Sequence, residues 1–147
     1  MTRKPIDIAL VLYSGAQQAA ILGMTDLFET ANRTAAREST GLSLAVSQWQ
    51  PYKNVPPNPV AAALANTPAA IILPPTLEDP AQVPIPAPFI DWLNDSHSQG
   101  AVICSVCGGA FLLARSGILQ GRTATTHWMF TEKVEALYPQ VRCATER

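Results

Sequence analysis

The 147 residues carry 10 lysines and arginines against 11 acids, a formal net charge of −1, with 48% hydrophobic and 14% charged residues. That composition excludes a disordered chain, and with no basic run it excludes an electrostatic nucleic-acid surface within these residues. No apolar run reaches the ~20 residues a bilayer crossing needs, so no membrane partner is expected.

The length suits one domain able to bury roughly 70% of its unfolded surface. Arg3 and Lys4 precede an apolar stretch, as in a signal peptide, but Asp7 interrupts it and Gln17–Gln18 follow soon after. The stretch reads as a buried strand instead. Three cysteines, Cys104, Cys107 and Cys143, are an odd number without disulfide-like spacing. A reducing compartment, and hence the cytoplasm, is the expected location.

Taken in chain order, Ile6–Tyr13 is an apolar run ended by Ser14–Gly15, a first buried strand. Ile21, Met24, Phe28 and Ala31 then mark one face of a helix from about Gln17 to Asn32. Leu42–Trp49 alternates and predicts a strand, and the proline-rich Pro51–Pro59 an irregular loop. Ala69–Leu73, stopped by Pro74–Pro75, reads as a central strand. Four prolines between Glu78 and Pro88 exclude a regular helix there. A short helix is expected over Phe89–Ser98, a strand over Ala101–Cys104, and a helix over Gly108–Arg115 that closes at Gly117. Thr123–Thr126 is short and β-branched, Trp128–Tyr138 has helical spacing ended by Pro139, and Val141–Thr145 looks like a last strand. Strands alternating with helices predict an α/β fold with a mainly parallel sheet covered on both faces. Residues 1–147 are read as a single domain that is truncated near Arg147, where no closing helix follows the last strand.

The densest chemistry lies in Ala101–Ala114, where a buried strand runs through Val106–Cys107 into Gly108–Gly109 and an apolar helix. This is the sequence of a strand–nucleophile–helix elbow. Two glycines let a substrate or a backbone approach closely. A cysteine at a helix start feels the positive end of the dipole, which favours its thiolate. The competing reading is a buried structural cysteine. Only two histidines are available. His97 lies at a polar helix end and is expected to cap it; His127, 20 residues after Cys107, is the candidate base or else a cap of the next helix beside Trp128. Cys104-Ser-Val-Cys107 is formally a Cys-x-x-Cys pair, but Cys104 lies within the strand and is expected to face the core. The cysteines and histidines are too scattered for a zinc site. There is no phosphate-binding loop or dinucleotide fingerprint, so neither a metal nor a cofactor is expected.

Val102–Trp128 closely resembles the ThiJ/PfpI (class I glutamine amidotransferase-like) superfamily, above all the domains fused to AraC-family helix-turn-helix regulators. The resemblance runs from Cys107 through Ser116-Gly-Ile-Leu119 and Gly121–Arg122 to Thr125-Thr-His-Trp128. It implies a flavodoxin-like doubly wound sheet, a homodimer, and a small ligand pocket at the elbow formed by Cys107, Gly108, Gly109 and Thr76, the last supplying an oxyanion N–H. It also implies His127 near Cys107. Three departures weigh against an enzyme. Gly108 stands where peptidase-like members have a histidine. Gln17, Gln18, Ala19 and Ala20 stand where many enzymes have a carboxylate. Pro75, which has no N–H, follows Leu73–Pro74 where family enzymes often have glycines. The expected function is therefore the ligand-sensing and dimerisation domain of an AraC-family regulator, with DNA bound by a helix-turn-helix outside this chain. The alternatives are a stand-alone cysteine hydratase, amidase or glyoxalase-like enzyme, or a redox protein.

Overall fold

The computed structural model describes residues 4–52, 55–61 and 67–144. Chain order is β1 (Ile6–Val11), α1 (Gln18–Arg37), β2 (Leu44–Tyr52), β3 (Val55–Ala61), β4 (Ala70–Leu73), α2 (Ala87–Ser98), β5 (Val102–Ser105), α3 (Gly109–Arg115), β6 (Thr123–Ala124), a 3₁₀ turn (Trp128–Phe130), α4 (Thr131–Leu137) and β7 (Arg142–Cys143). Five strands form one sheet in the order β3-β2-β1-β4-β5, parallel except for β3.

β1 occupies the middle because Asp7–Val11 bury both alternating faces. From β1 the chain leaves through α1 to β2 on one side. It later returns to β4 and passes through α2 to β5 on the other. Right-handed crossovers in opposite directions put α1 and α2 on opposite faces. Trp49 of β2 stacks on Trp92 of α2 with ring centroids 5.2 Å apart. The arrangement is the flavodoxin-like α/β fold expected from the sequence.

Asp7, the charge that interrupts the first strand in the sequence, is part of a buried polar chain. Trp49 Nε1–H donates to Ser47 Oγ at 2.9 Å, and Ser47 donates in turn to Asp7 Oδ1 at 2.7 Å. Helix α1 runs five residues past the expected Asn32, through the helix formers Ala35, Ala36 and Arg37. Asn32 does not stop it, because its amide instead brackets the main chain of Leu44. Nδ2 donates to the Leu44 carbonyl at 2.9 Å, and Oδ1 accepts from the Leu44 N–H at 2.7 Å.

Three further expectations are corrected. The proline-rich stretch is not all loop: β2 continues to Tyr52, and β3 pairs antiparallel with it from Val55, with register shifts between Gln48 and Trp49 and between Gln50 and Tyr52. An outermost strand tolerates proline because one row of its backbone groups needs no partner. Pro88, counted among the helix-excluding prolines, sits in the first turn of α2, where a missing N–H costs nothing. The expected helix over Trp128–Tyr138 is a 3₁₀ turn followed by α4, and β7 pairs with β6 in a separate two-stranded parallel sheet. Thr145 and Arg147, invoked for the last strand and the chain end, lie outside the described residues.

Among the described residues no helix is long and apolar enough to cross a membrane. The short α3 is embedded in the core, with Gly109–Ala114 all buried. Phe111 has no exposed surface and meets Phe130 edge-on at 5.6 Å and 89°. Phe111→Ala should therefore lower the free energy of unfolding by roughly 3–5 kcal/mol, read from the urea midpoint at unchanged slope.

Candidate functional site

Three strand ends meet where β1, β4 and β5 finish. β5 ends at Ser105, Val106 donates its N–H to the Leu73 carbonyl at 3.0 Å, and the chain then turns sharply at Cys107. Cys107 has φ of 52°, a left-handed conformation uncommon for a residue with a side chain. Hydrogen bonds on both sides hold the turn. Gly109 N–H donates to the Val106 carbonyl at 2.9 Å, and the Cys107 carbonyl accepts from Ala110 N–H at 3.2 Å and from Thr126 Oγ1 at 3.0 Å.

The two glycines have different jobs. A Cβ on Gly109 would lie 2.3 Å from the Leu73 carbonyl oxygen, so this glycine admits the β4 backbone. A Cβ on Gly108 would meet Pro80 at 3.2 Å and the Thr76 methyl at 3.3 Å, a tight fit against side chains. Thr76 is fixed by its own bonds: its hydroxyl donates to the Gly15 carbonyl at 3.0 Å and accepts from Glu78 N–H at 3.0 Å. Gln17 N–H to the Pro75 carbonyl (2.8 Å) and Leu77 N–H to the Gly15 carbonyl (3.1 Å) tie the same loop to the turn after β1. The Thr76 and Gly108 N–H groups make no hydrogen bond among the described residues, so both remain available near the elbow.

Sequence reading missed three contributors. Tyr13 is buried, and its hydroxyl donates to the Pro74 carbonyl. Burial, and then the charge of nearby Cys107, push its ionisation far above the usual phenol range, so it stays protonated beside the elbow. Arg115 reaches back from α3 to the Val83 carbonyl (2.7 Å) and the Ala81 carbonyl (3.0 Å), pinning the proline-rich strap of residues 78–86 that joins β4 to α2. Lys133 of α4 grips Asp79 on that strap at 2.7 and 2.8 Å, and this bond and the Ala81 N–H hold the Asp79 carboxyl below its ordinary value. No local motif announces these contacts, since each joins segments far apart in the chain.

His127 is exposed, and its Nδ1 accepts from Met129 N–H at 3.3 Å, capping the 3₁₀ turn. Its ring lies beside Trp128, centroids 5.3 Å apart. Thr126, not His127, makes the hydrogen bond to the elbow. His97 sits at the opposite end of the sheet, with Nδ1 3.3 Å from the Ala101 carbonyl. Cys104 does not face the core as expected. It is exposed, because β5 is an outermost strand and the side carrying Val102 and Cys104 is open. Cys143 is half-buried, and burial and then Glu135 raise its thiol. Among the described residues no three His, Cys, Asp or Glu side chains gather as a metal site. The described cavities lie elsewhere, one of about 220 Å³ between the ends of α3 and α4.

The family profile for DJ-1/PfpI matches residues 8–142, nearly the whole chain. The chain belongs to the DJ-1/PfpI family. An uncharacterized protein in the cpoL 5′ region of Streptomyces lividans is 28% identical over 137 residues, covering 89% of this chain and 94% of that protein. The HTH-type transcriptional regulator CdhR of Pseudomonas aeruginosa is 31% identical over 68 residues, 46% of this chain but only 20% of the regulator. Among solved structures, an AraC family transcriptional regulator from Pseudomonas putida superposes with a TM-score of 0.69 at 19% identity, covering 97% of this chain and 77% of that one. That likeness is one of fold.

Three substitutions test the site's construction. Gly109→Ala forces α3 off the Leu73 carbonyl and should destabilise by roughly 1–3 kcal/mol or more, while Gly108→Ala, which meets only side chains, should cost less; urea unfolding ranks the two. For Tyr13 the folded ionisation lies above the unfolded value, so its contribution is complete below about pH 10 and is lost as pH rises further. Tyr13→Phe should lose about 1 kcal/mol at neutral pH and flatten the alkaline decline of stability measured above pH 10.

Proposed function

We propose that this DJ-1/PfpI domain is the ligand-sensing and dimerisation domain of an AraC-family transcriptional regulator. It takes a small-molecule ligand at the elbow. DNA is contacted by a helix-turn-helix outside residues 1–147, and the protein works in the cytoplasm as a homodimer. The observation that carries this reading is the engagement of His127. Its Nδ1 is occupied by the Met129 N–H and its ring is exposed, so among the described residues Cys107 has no hydrogen-bonded base. Nucleophilic catalysis by a cysteine needs such a partner. Gln17 and Gln18 in place of a carboxylate point the same way. The unengaged N–H groups of Thr76 and Gly108 suit a bound carbonyl or carboxylate oxygen, with Gly109 setting the helix behind them.

A cysteine-dependent hydratase, amidase or glyoxalase-like reaction is the second reading. The left-handed backbone of Cys107 favours it, since strained residues gather at reactive sites.

A panel of small carboxylates and amides, followed by thermal unfolding, separates the two. A ligand at about 100 times its Kd adds about 2.7 kcal/mol of stability. The sensing reading expects that gain in both the wild type and Cys107→Ser, with the ligand recovered unchanged. Turnover that disappears in Cys107→Ser overturns it. The intact mass of the native polypeptide should also exceed that of these residues by a DNA-binding domain of roughly 100 residues.

A further inference from the structure

The buried polar chain that starts at Trp49 ends one hydrogen bond short. An indole N–H can only donate, so Trp49 sets the direction of the chain, and Ser47 must pass its own proton to Asp7 Oδ1. Asp7 is the accepting end. Its second oxygen, Oδ2, has no hydrogen-bond partner among the described residues and essentially no contact with solvent, in a residue only 4% exposed. Neither ion pair among the described residues involves it. A carboxyl oxygen shut off from water and left without a donor is costly to bury.

Asp7 forms part of the wall of a cavity of about 280 Å³, together with Thr67, Pro68, Ala69, Gln99, Gly100 and Ala101. The cavity lies at the amino ends of β1, β4 and β5, the opposite end of the sheet from Cys107. Its wall is rich in acceptors and poor in free donors. The N–H groups of Ala69, Gln99, Gly100 and Ala101 are committed to the carbonyls of Asp7, Asp95, His97 and Ser96 at 2.9–3.0 Å. Pro68 has no N–H. The Thr67 hydroxyl gives its proton to Gln99 Oε1 at 2.7 Å. Gln99 also caps the C-terminal end of α2, which is the negative end of the helix dipole. The group this wall lacks is a donor that carries positive charge.

We propose that this cavity binds a small primary amine, with its ammonium group on Asp7 Oδ2. An ammonium group has three N–H donors and no acceptor, one donor for Oδ2 and two for oxygens of the wall. A divalent metal fits less well. Such ions gather several oxygen ligands, commonly more than one carboxylate, and among the described residues no three His, Cys, Asp or Glu side chains come together. The volume also exceeds the need of a single ion. A water molecule takes about 30 Å³ in the liquid, so room remains for a tail of a few carbon atoms against Pro68, Ala69 and Ala101. Because Asp7 is joined through Ser47 to Trp49, the indole reports occupancy. The site is separate from the elbow and does not rest on the role proposed there.

Thermal unfolding and tryptophan fluorescence of the full chain, titrated with ethylammonium chloride, test the site. Tetramethylammonium, sodium and potassium chloride at the same ionic strength are the controls. The first has the charge without an N–H donor, and the other two ask whether an alkali ion suffices. Ethylammonium should raise the unfolding temperature saturably and shift the emission, and the controls should do neither. Asp7→Asn keeps an acceptor for Ser47 but replaces Oδ2 with an NH₂ group, and should bind ethylammonium about tenfold or more weaker. Gln99→Lys, at an exposed position of the wall, supplies an ammonium group within the chain. It should unfold at a higher temperature without ligand and lose the response to ethylammonium. An equal saturable gain from sodium or potassium overturns the amine in favour of a metal ion. No saturable gain from any of the four salts overturns the proposal, as does unchanged affinity in Asp7→Asn. Should Asp7→Asn fail to fold, a full response to ethylammonium in Gln99→Lys overturns it instead.

Discussion

A Cβ at position 109 would come within 2.3 Å of the Leu73 carbonyl oxygen, and the contact this glycine permits sets how α3 sits on the sheet. With α3 lowered onto the end of β4, Phe111, Leu112 and Leu113 fill the core, and the preceding turn is pulled tight. The left-handed conformation of Cys107 follows from that tightness. Of its neighbours, Val106 gives its N–H to the Leu73 carbonyl of β4, and Gly109 and Ala110 give theirs to the turn. The elbow is thus a consequence of close helix–strand packing.

The surroundings of the elbow are assembled from distant pieces. Thr76 arrives from the end of β4, Tyr13 from the end of β1 and Thr126 from beyond β6. The proline-rich strap closes over Gly108 and is anchored by Arg115 from beneath and by Lys133 at its rim. The rim pair is exposed to solvent and adds little to stability; its effect is to hold the strap's position. Arg115 and the carbonyls it holds, and Lys133 and the carboxylate it holds, are each separated by more than 30 residues. No acidic side chain makes a hydrogen bond to the turn among the described residues; beside the Cys107 thiol, hydroxyls of Thr126 and Thr76 and backbone N–H groups supply the elbow's polar chemistry.

Much of the fold was readable because hydrophobic period and punctuation agree. The apolar runs at Ile6, Ala69 and Ala101, each closed by glycine, proline or serine, became β1, β4 and β5. Failures came where a local rule met a tertiary exception. Prolines at 56, 57 and 59 argue against a strand, yet an outermost position lets β3 pair with β2. Asn32 resembles a helix stop, yet its amide serves β2 across the helix–strand gap. Cys104 was expected to face the core from its place within a strand, but that place alone cannot say which side of an edge strand is covered.

The sequence by itself determined the α/β class, the family, and the position of the turn at Cys107. These depend on residue types that are neighbours in the chain: a buried run, two glycines, an apolar helix. Only the tertiary structure decided that Gly109 serves the β4 backbone while Gly108 fits against the strap, that Tyr13 stands beside the cysteine, and that His127 caps a turn while Thr126 holds the elbow. Each of those outcomes is a distance between segments far apart in the chain. Such distances are fixed by how helices and strands pack, and local periodicity carries no record of them.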